Sequence, residues 1–146
     1  MIDPKFIGHA LTPHQALIEA GRLRFFAKAT GQTDPIYADE AAAQAAGYPA
    51  LPAPPTFLFC LNMETADPYE WVRLLDIDLG KVLHGEQGFT YRRVVCAGET
   101  LRFAGVIKNI YAKKGGALSF VETETEVTDA TDAPVATLRG LTVVRA

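Results

Sequence analysis

Within residues 117–128 of this chain lies VETETEV, residues 121–127, whose strict alternation most constrains the fold. A period of two sets Glu122, Glu124 and Glu126 on one face of a strand, and Val121, Thr123, Thr125 and Val127 on the other. A helix would scatter those carboxylates around its surface, so the segment reads as a strand with one wetted and one core-facing side. A solvated sheet face accounts for the three glutamates better than a metal site does. Lys113-Lys114-Gly115-Gly116 and the cluster at residues 129–132 are turn signals on either side. Residues 89–95, 99–111 and 135–144 read as further strands.

The first half has a different period. Leu17, Ala20, Leu23 and Ala27 recur at helical spacing, which predicts a helix over residues 16–29 stopped by Gly31. Residues 39–46 (DEAAAQAA) open with acids and close at Gly47, the pattern of a short helix with favourable charges at its positive end. Pro54 and Pro55 suit the first turn of a third helix, where amide protons have no internal partner. The run after them, Phe57-Leu58-Phe59-Cys60-Leu61, is apolar all round and predicts burial. An antiparallel sheet needs a cover for its apolar face, and that helix is the available one. The expected class is α+β: a curved antiparallel sheet of about five strands wrapped around a central helix, with edge strands that invite a second copy or a related partner.

Composition limits what such a fold is for. A chain of 146 residues, 49% hydrophobic, suits a single domain over residues 1–146. Its net charge of -3, with dispersed Lys and Arg, argues against nucleic acid. No apolar run is long enough for a membrane span and the N-terminus lacks the apolar core of a secretory signal, so a cytoplasmic location is expected. Cys60 and Cys96 belong to no CxxC pair and read as thiols; His9 and His14 have no third ligand near them, and no metal is expected.

The stretches LRFFAKATGQTDPIYADEAAAQAAGYPALPAPPTFLF and VLHGEQGFTYRRVVCAGETL resemble the N-terminal dehydratase domain of the MaoC-like hot-dog superfamily. They are particularly similar to the non-catalytic type of subunit in mycobacterial (3R)-hydroxyacyl-ACP dehydratase, and the resemblance runs from about residue 6 to residue 145. It implies the hot-dog fold, no cofactor, and a substrate carried as a CoA or acyl-carrier-protein thioester. Catalytic relatives, the R-specific enoyl-CoA hydratases, carry a motif like G-D-x-N-P-x-H. Laid on GQTDPIY, its aspartate falls on Gln32, its asparagine on Asp34, its proline on Pro35 and its histidine on Tyr37. A second family motif, like His-Gly-Met, offers a glycine amide to the thioester oxygen. Pro54 of Ala53-Pro54-Pro55 stands at or near that glycine and has no amide proton to offer.

Hydration of a 2-enoyl thioester needs a base for water, an acid for the α-carbon and a donor for the charged thioester oxygen. The amide of Gln32 is no base, and a phenol near pKa ~10 replaces poorly an imidazole near ~6.5. No catalytic residue is therefore expected; Asp34 and Tyr37 are the titratable groups left in the loop, and Asp34 also reads as a turn cap around Pro35. The resemblance points to Tyr48, Pro55, Thr56, Phe57 and His84 as substrate-binding candidates. Tyr48 reads as pocket or surface, Thr56 as pocket or helix end, Phe57 as tunnel wall or core, and His84 as turn, interface or thioester contact. Arg22, Arg24, Arg92 and Arg93 are accounted for by solvated faces, with pantetheine phosphates or a carrier protein as the other reading. The implied role is the substrate-binding, non-catalytic subunit of a (3R)-specific enoyl-thioester hydratase or 3-hydroxyacyl-thioester dehydratase, paired with a catalytic MaoC-like chain. Two other readings stand beside it: a homodimeric acyl-thioester-binding protein without turnover, and a self-sufficient hydratase or thioesterase using Asp34.

Overall fold

Four long strands of the second half and one short strand of the first pair into an antiparallel sheet in a computed structural model that describes residues 2–146. They are β1 (His14–Leu17), β2 (Val82–Tyr91), β3 (Thr100–Lys113), β4 (Leu118–Thr128) and β5 (Pro134–Arg145), in the order β1-β3-β4-β5-β2. The β3–β4 hairpin turns through Lys114, Gly115 and Gly116, all with positive φ (52°, 65° and 95°), a conformation two glycines make accessible. At the β4–β5 turn the Asp129 carboxylate accepts from the Thr131 amide at 2.9 Å and the Thr131 hydroxyl at 2.7 Å.

The alternation in β4 sorts as its period requires. Val121 and Val127 are fully buried on the inner face. On the outer face Glu124 pairs with Lys108 and Arg139, each at 3.2 Å, and Glu126 accepts from Thr137 at 2.7 Å. The two ion pairs, whose Lys108 and Arg139 ends are exposed, contribute little stability singly.

Four short α-helices lie around the sheet: α1 (Ala20–Ala29), α2 (Glu40–Ala45), α3 (Phe57–Asn62) and α4 (Glu70–Leu74). Helix α3 buries Phe57, Leu58 and Leu61 against Leu101, Phe103, Val127, Ala136 and Leu138 of the inner face. The expectation of a sheet curled around a central helix is corrected here. The sheet is open, with β1 and β2 as its ends, and does not close or wrap. Its size explains why: the six residues of α3 span ~9 Å, whereas strands of ten to fourteen residues run roughly 35–45 Å. Beyond α3 a second apolar cluster takes over, in which Leu75, Trp71, Leu74 and Phe6 cover Ile107, Ile110 and Val121. Helix α4, whose Trp71 and Leu74 with the following Leu75 recur at i, i+3 and i+4, belongs to this second cover.

Two further expectations change. Residues 16 and 17, expected to open the first helix, belong instead to β1, because Ala16 pairs with Leu101 and the Ile18 amide donates to the Glu99 carbonyl at 2.9 Å. The burial there also alternates, with Ala16 and Ile18 buried and Leu17 49% exposed between them. The strand expected over residues 89–95 instead runs from Val82 to Tyr91, because β5 provides partners along all of it. The HGEQ stretch therefore lies inside β2, where the register shifts between His84 and Glu86. At the intervening Gly85 a Cβ would sit 2.9 Å from the Leu141 carbonyl oxygen.

The two sides of the sheet end differently. Beyond β1, residues 8–11 cover the edge of β3, with the Gly8 amide on the Ile107 carbonyl at 2.8 Å and the Leu11 amide on that of Gly105 at 2.9 Å. Strand β2 has only β5 beside it among the described residues.

Candidate functional site

Helix α1 ends at a left-handed Gly31 (φ 71°) and delivers the GQTDPIY loop, whose polar groups bond locally. The Gln32 side-chain oxygen accepts from the Asp34 amide at 3.1 Å, and the Asp34 carboxylate accepts from the Ile36 amide at 3.1 Å. Asp34 thereby caps the 3-10 turn Pro35–Tyr37, in which Pro35 takes the first position. Asp39 then caps α2 through the Ala42 amide at 3.0 Å. Asp34 is exposed to solvent, whereas Tyr37 is half-buried. Burial above all, with the neighbouring Tyr48 and Asp34 adding to it, pushes the Tyr37 phenol above its ordinary range.

The facing wall comes from distant parts of the chain. Gly47, at φ 93°, turns Tyr48 back so that its amide donates to the Ala43 carbonyl at 3.0 Å. Residues 51–53 then run beside residues 95–97: the Ala53 amide donates to Val95 and the Ala97 amide to Leu51, both at 2.8 Å. Pro54 is buried, Pro55 exposed, and neither offers an amide proton to a ligand. The Tyr91 hydroxyl donates to the Pro55 carbonyl and so ties the start of α3 to strand β2. Its ring stacks on Phe89 at 6.2 Å, and burial pushes its pKa up to about 12.

Together these residues enclose a cleft of about 200 Å³, with Tyr37, Tyr48 and Tyr91, Pro52 and Pro55, and Val94 and Val95 in its lining. Arg93 stands on its rim but is already engaged. One guanidinium nitrogen lies 2.7 Å from Glu99 and 3.0 Å from Asp129, and the other donates to the Val94 carbonyl at 3.1 Å. Hydrogen bonds from Thr131, with Arg93 beside them, hold the Asp129 carboxyl down at about 2. Two larger hollows lie elsewhere: a shallow trough of about 420 Å³ on the charged outer face, and a cleft of about 690 Å³ over the second apolar cluster. Neither includes a residue of the GQTDPIY loop or of the double proline.

Of the residues singled out in the sequence, Tyr37, Tyr48 and Pro55 meet in the cleft. Asp34 stays in the turn beside it. Phe57 is 2% exposed, with Phe26 edge-on at 5.3 Å, and sits in the core. Thr56 is the exposed N-cap residue of α3, and its side chain makes no capping bond. His84 lies on β2 with its ring stacked on Phe59 at 5.6 Å, apart from the cleft lining. Tyr91, Pro52, Val94 and Val95 escaped the sequence reading as site residues. Only the parity of Phe89 and Tyr91 in one strand signals that Tyr91 faces inward. Among the described residues no group of three His, Cys, Asp or Glu side chains could hold a metal ion, and no helix is long and apolar enough to cross a membrane.

Residues 5–138 match the family described as FAS1-like, dehydratase domain region. The chain belongs to this family. It is 36% identical over 146 residues to a UPF0336 protein of Saccharopolyspora erythraea, covering 99% of this chain and 92% of that one. Among solved structures it resembles the C-terminally truncated HadBC (3R-hydroxyacyl-ACP dehydratase) complex of Mycobacterium tuberculosis. That likeness has a TM-score of 0.83 at 24% identity and covers 94% of this chain and 96% of the other. It also resembles a MaoC-like dehydratase, with a TM-score of 0.85 at 23% identity, over 97% of this chain but 42% of the longer one. At these identities the structural likenesses are likenesses of fold.

Proposed function

We propose that the chain is a substrate-binding, non-catalytic subunit of a (3R)-specific enoyl-thioester hydratase or 3-hydroxyacyl-thioester dehydratase. The observation that carries this reading is the lack of a placed general base among the residues lining the cleft and in the loop beside it. Gln32 is an amide, Asp34 is exposed and bound to the Ile36 amide, and Tyr37 and Tyr91 are phenols held above their ordinary range. At Pro54 the backbone has no donor for a thioester oxygen. A catalytic MaoC-like partner would supply base, acid and donor, while this chain contributes binding surface. Free on one side among the described residues, the ten-residue edge of β2 is where such a partner would extend the sheet; a second copy of this chain would take that place when no partner is present. That the related HadBC protein is a complex supports the two-chain arrangement. The substrate would arrive as a CoA or carrier-protein thioester in the cytoplasm, and residues 1–146 would act as one domain without a cofactor.

Crotonyl-CoA hydration tests the reading. The isolated chain should turn over negligibly, because general acid–base groups contribute roughly 10²–10⁴-fold and an oxyanion donor ~3 kcal/mol. Addition of the catalytic chain should restore activity. Robust turnover by the isolated chain, lost in Asp34→Asn, would instead make it a self-sufficient hydratase.

A further inference from the structure

We infer that the outer face of the sheet, turned away from α3 and α4, is an interface for a second copy of this chain, packed face to face about a two-fold axis. This surface is separate from the free edge of β2.

Strand register places the side chains of that face in rows that cross the strands. One row is apolar: Tyr111 of β3 pairs with Phe120 of β4, Phe120 with Val143 of β5, and Val143 with Leu83 of β2. The Tyr111 and Phe120 rings stack at 4.9 Å, and Leu83 is 46% exposed. A band of aromatic and aliphatic side chains across the β3-β4-β5-β2 part of the sheet is surface that association would take out of water.

The rows on either side of the band carry opposite charge. On one side Lys113 and Arg145 both pair with Leu118, and the Lys113 ammonium lies 5.0 Å from the centre of the Phe120 ring. On the other side Glu122 pairs with Leu141, and Leu141 with Glu86. None of these four charged side chains forms a salt bridge among the described residues. One row further on the charges are already matched, with Glu124 between Lys108 and Arg139. The outer-face trough of about 420 Å³ opens at the acidic row, with Glu86, Glu122 and Leu141 in its lining.

Symmetry selects the occupant and its orientation. A two-fold along the apolar row lays that row on its own copy and reverses the strand direction. The Lys113–Arg145 row of each chain then lies over the Glu122–Glu86 row of the other, so its side chains enter the trough and all four unmatched charges meet their opposites. The strands of the two sheets stay aligned, as in sheets stacked about 10 Å apart. A two-fold along the strands would instead set each charged row against its own kind. A different partner of a single charge sign would satisfy one row and be repelled by the other, whereas a second copy satisfies both.

The test is sedimentation equilibrium of the full chain and of two charge-reversed forms whose circular dichroism matches it. One carries Glu86→Lys with Glu122→Lys, and the other Lys113→Glu with Arg145→Glu. The native chain should form an assembly that loses half its mass in either reversed form, with association weakened roughly tenfold or more by the like charges brought face to face. An equimolar mixture of the two reversed forms should recover the native mass, because two basic rows then meet two acidic ones. Phe120→Asp should also halve the mass, by placing a charge in the apolar row. A step from four chains to two would show the β2 edge paired as well, and a step from two to one would show the face alone; either supports the inference. A native chain that is monomeric at micromolar concentration overturns it. So does a mass unchanged in both reversed forms, which leaves edge pairing to account for any dimer, or a mixture that stays dissociated.

Discussion

The two walls of the cleft were built by different means. On one side, the loop of residues 31–37 ties its polar groups to its own backbone: Gln32 to Asp34, and Asp34 to Ile36. On the other, residues 48–55 and 91–95 meet across long sequence separations, joined by Ala53 on Val95 and by the Tyr91 hydroxyl on Pro55. The loop keeps its shape through contacts between near neighbours, so it reports little about what surrounds it. The facing wall exists only when α3 and β2 are docked on one core, and its shape depends on that packing.

Removing the support of the second wall should have the largest effect. Phe57→Ala deletes a ring that is 2% exposed and packed edge-on to Phe26, and should lower stability by about 3–5 kcal/mol in urea denaturation. A loss below about 1 kcal/mol would mean that this wall, too, is held locally.

Tyr91→Phe should cost about 1 kcal/mol by removing the bond to the Pro55 carbonyl. It also has a pH signature. The folded-state phenol titrates at about 12, above the ~10 of an unfolded tyrosine, so the fold favours the protonated form. Its contribution is fully present below pH ~10 and is lost as pH rises toward the folded value. Denaturation at stepped alkaline pH should show that decline in the native protein and a shallower one in Tyr91→Phe.

Asp34→Ala should cost at most about 1 kcal/mol, the typical worth of an exposed cap, and should leave cleft amide shifts in place. If those shifts moved, the two walls would be coupled. The smallest effect is expected at Thr56→Ala. Although Thr56 is the N-cap of α3, its side chain makes no capping bond, so the melting midpoint should move by no more than a ±0.5 kcal/mol change implies.

Legibility followed the range of the interaction. The alternation of residues 121–127, the burial of Phe57 and Leu61, and the Asx-type turn at Asp34-Pro35 all rest on side chains a few positions apart, and the sequence displays them. The expectation that Gln32, Tyr37 and Pro54 stand where the resembled family pattern has acid–base residues and an amide donor likewise comes from residue identity alone. Tertiary structure alone decided that residues 14–17 are a strand, since the choice lay with an edge of β3 more than eighty residues away. It decided that the sheet stays open, because a six-residue helix covers only part of strands several times its length. It also decided that Tyr91 and Val94 complete a cleft begun by Tyr37 and Tyr48. Periodicity states which face of a segment turns inward, but not which segment it will meet there, because that depends on pairing between strands and docking of helices far apart in the chain.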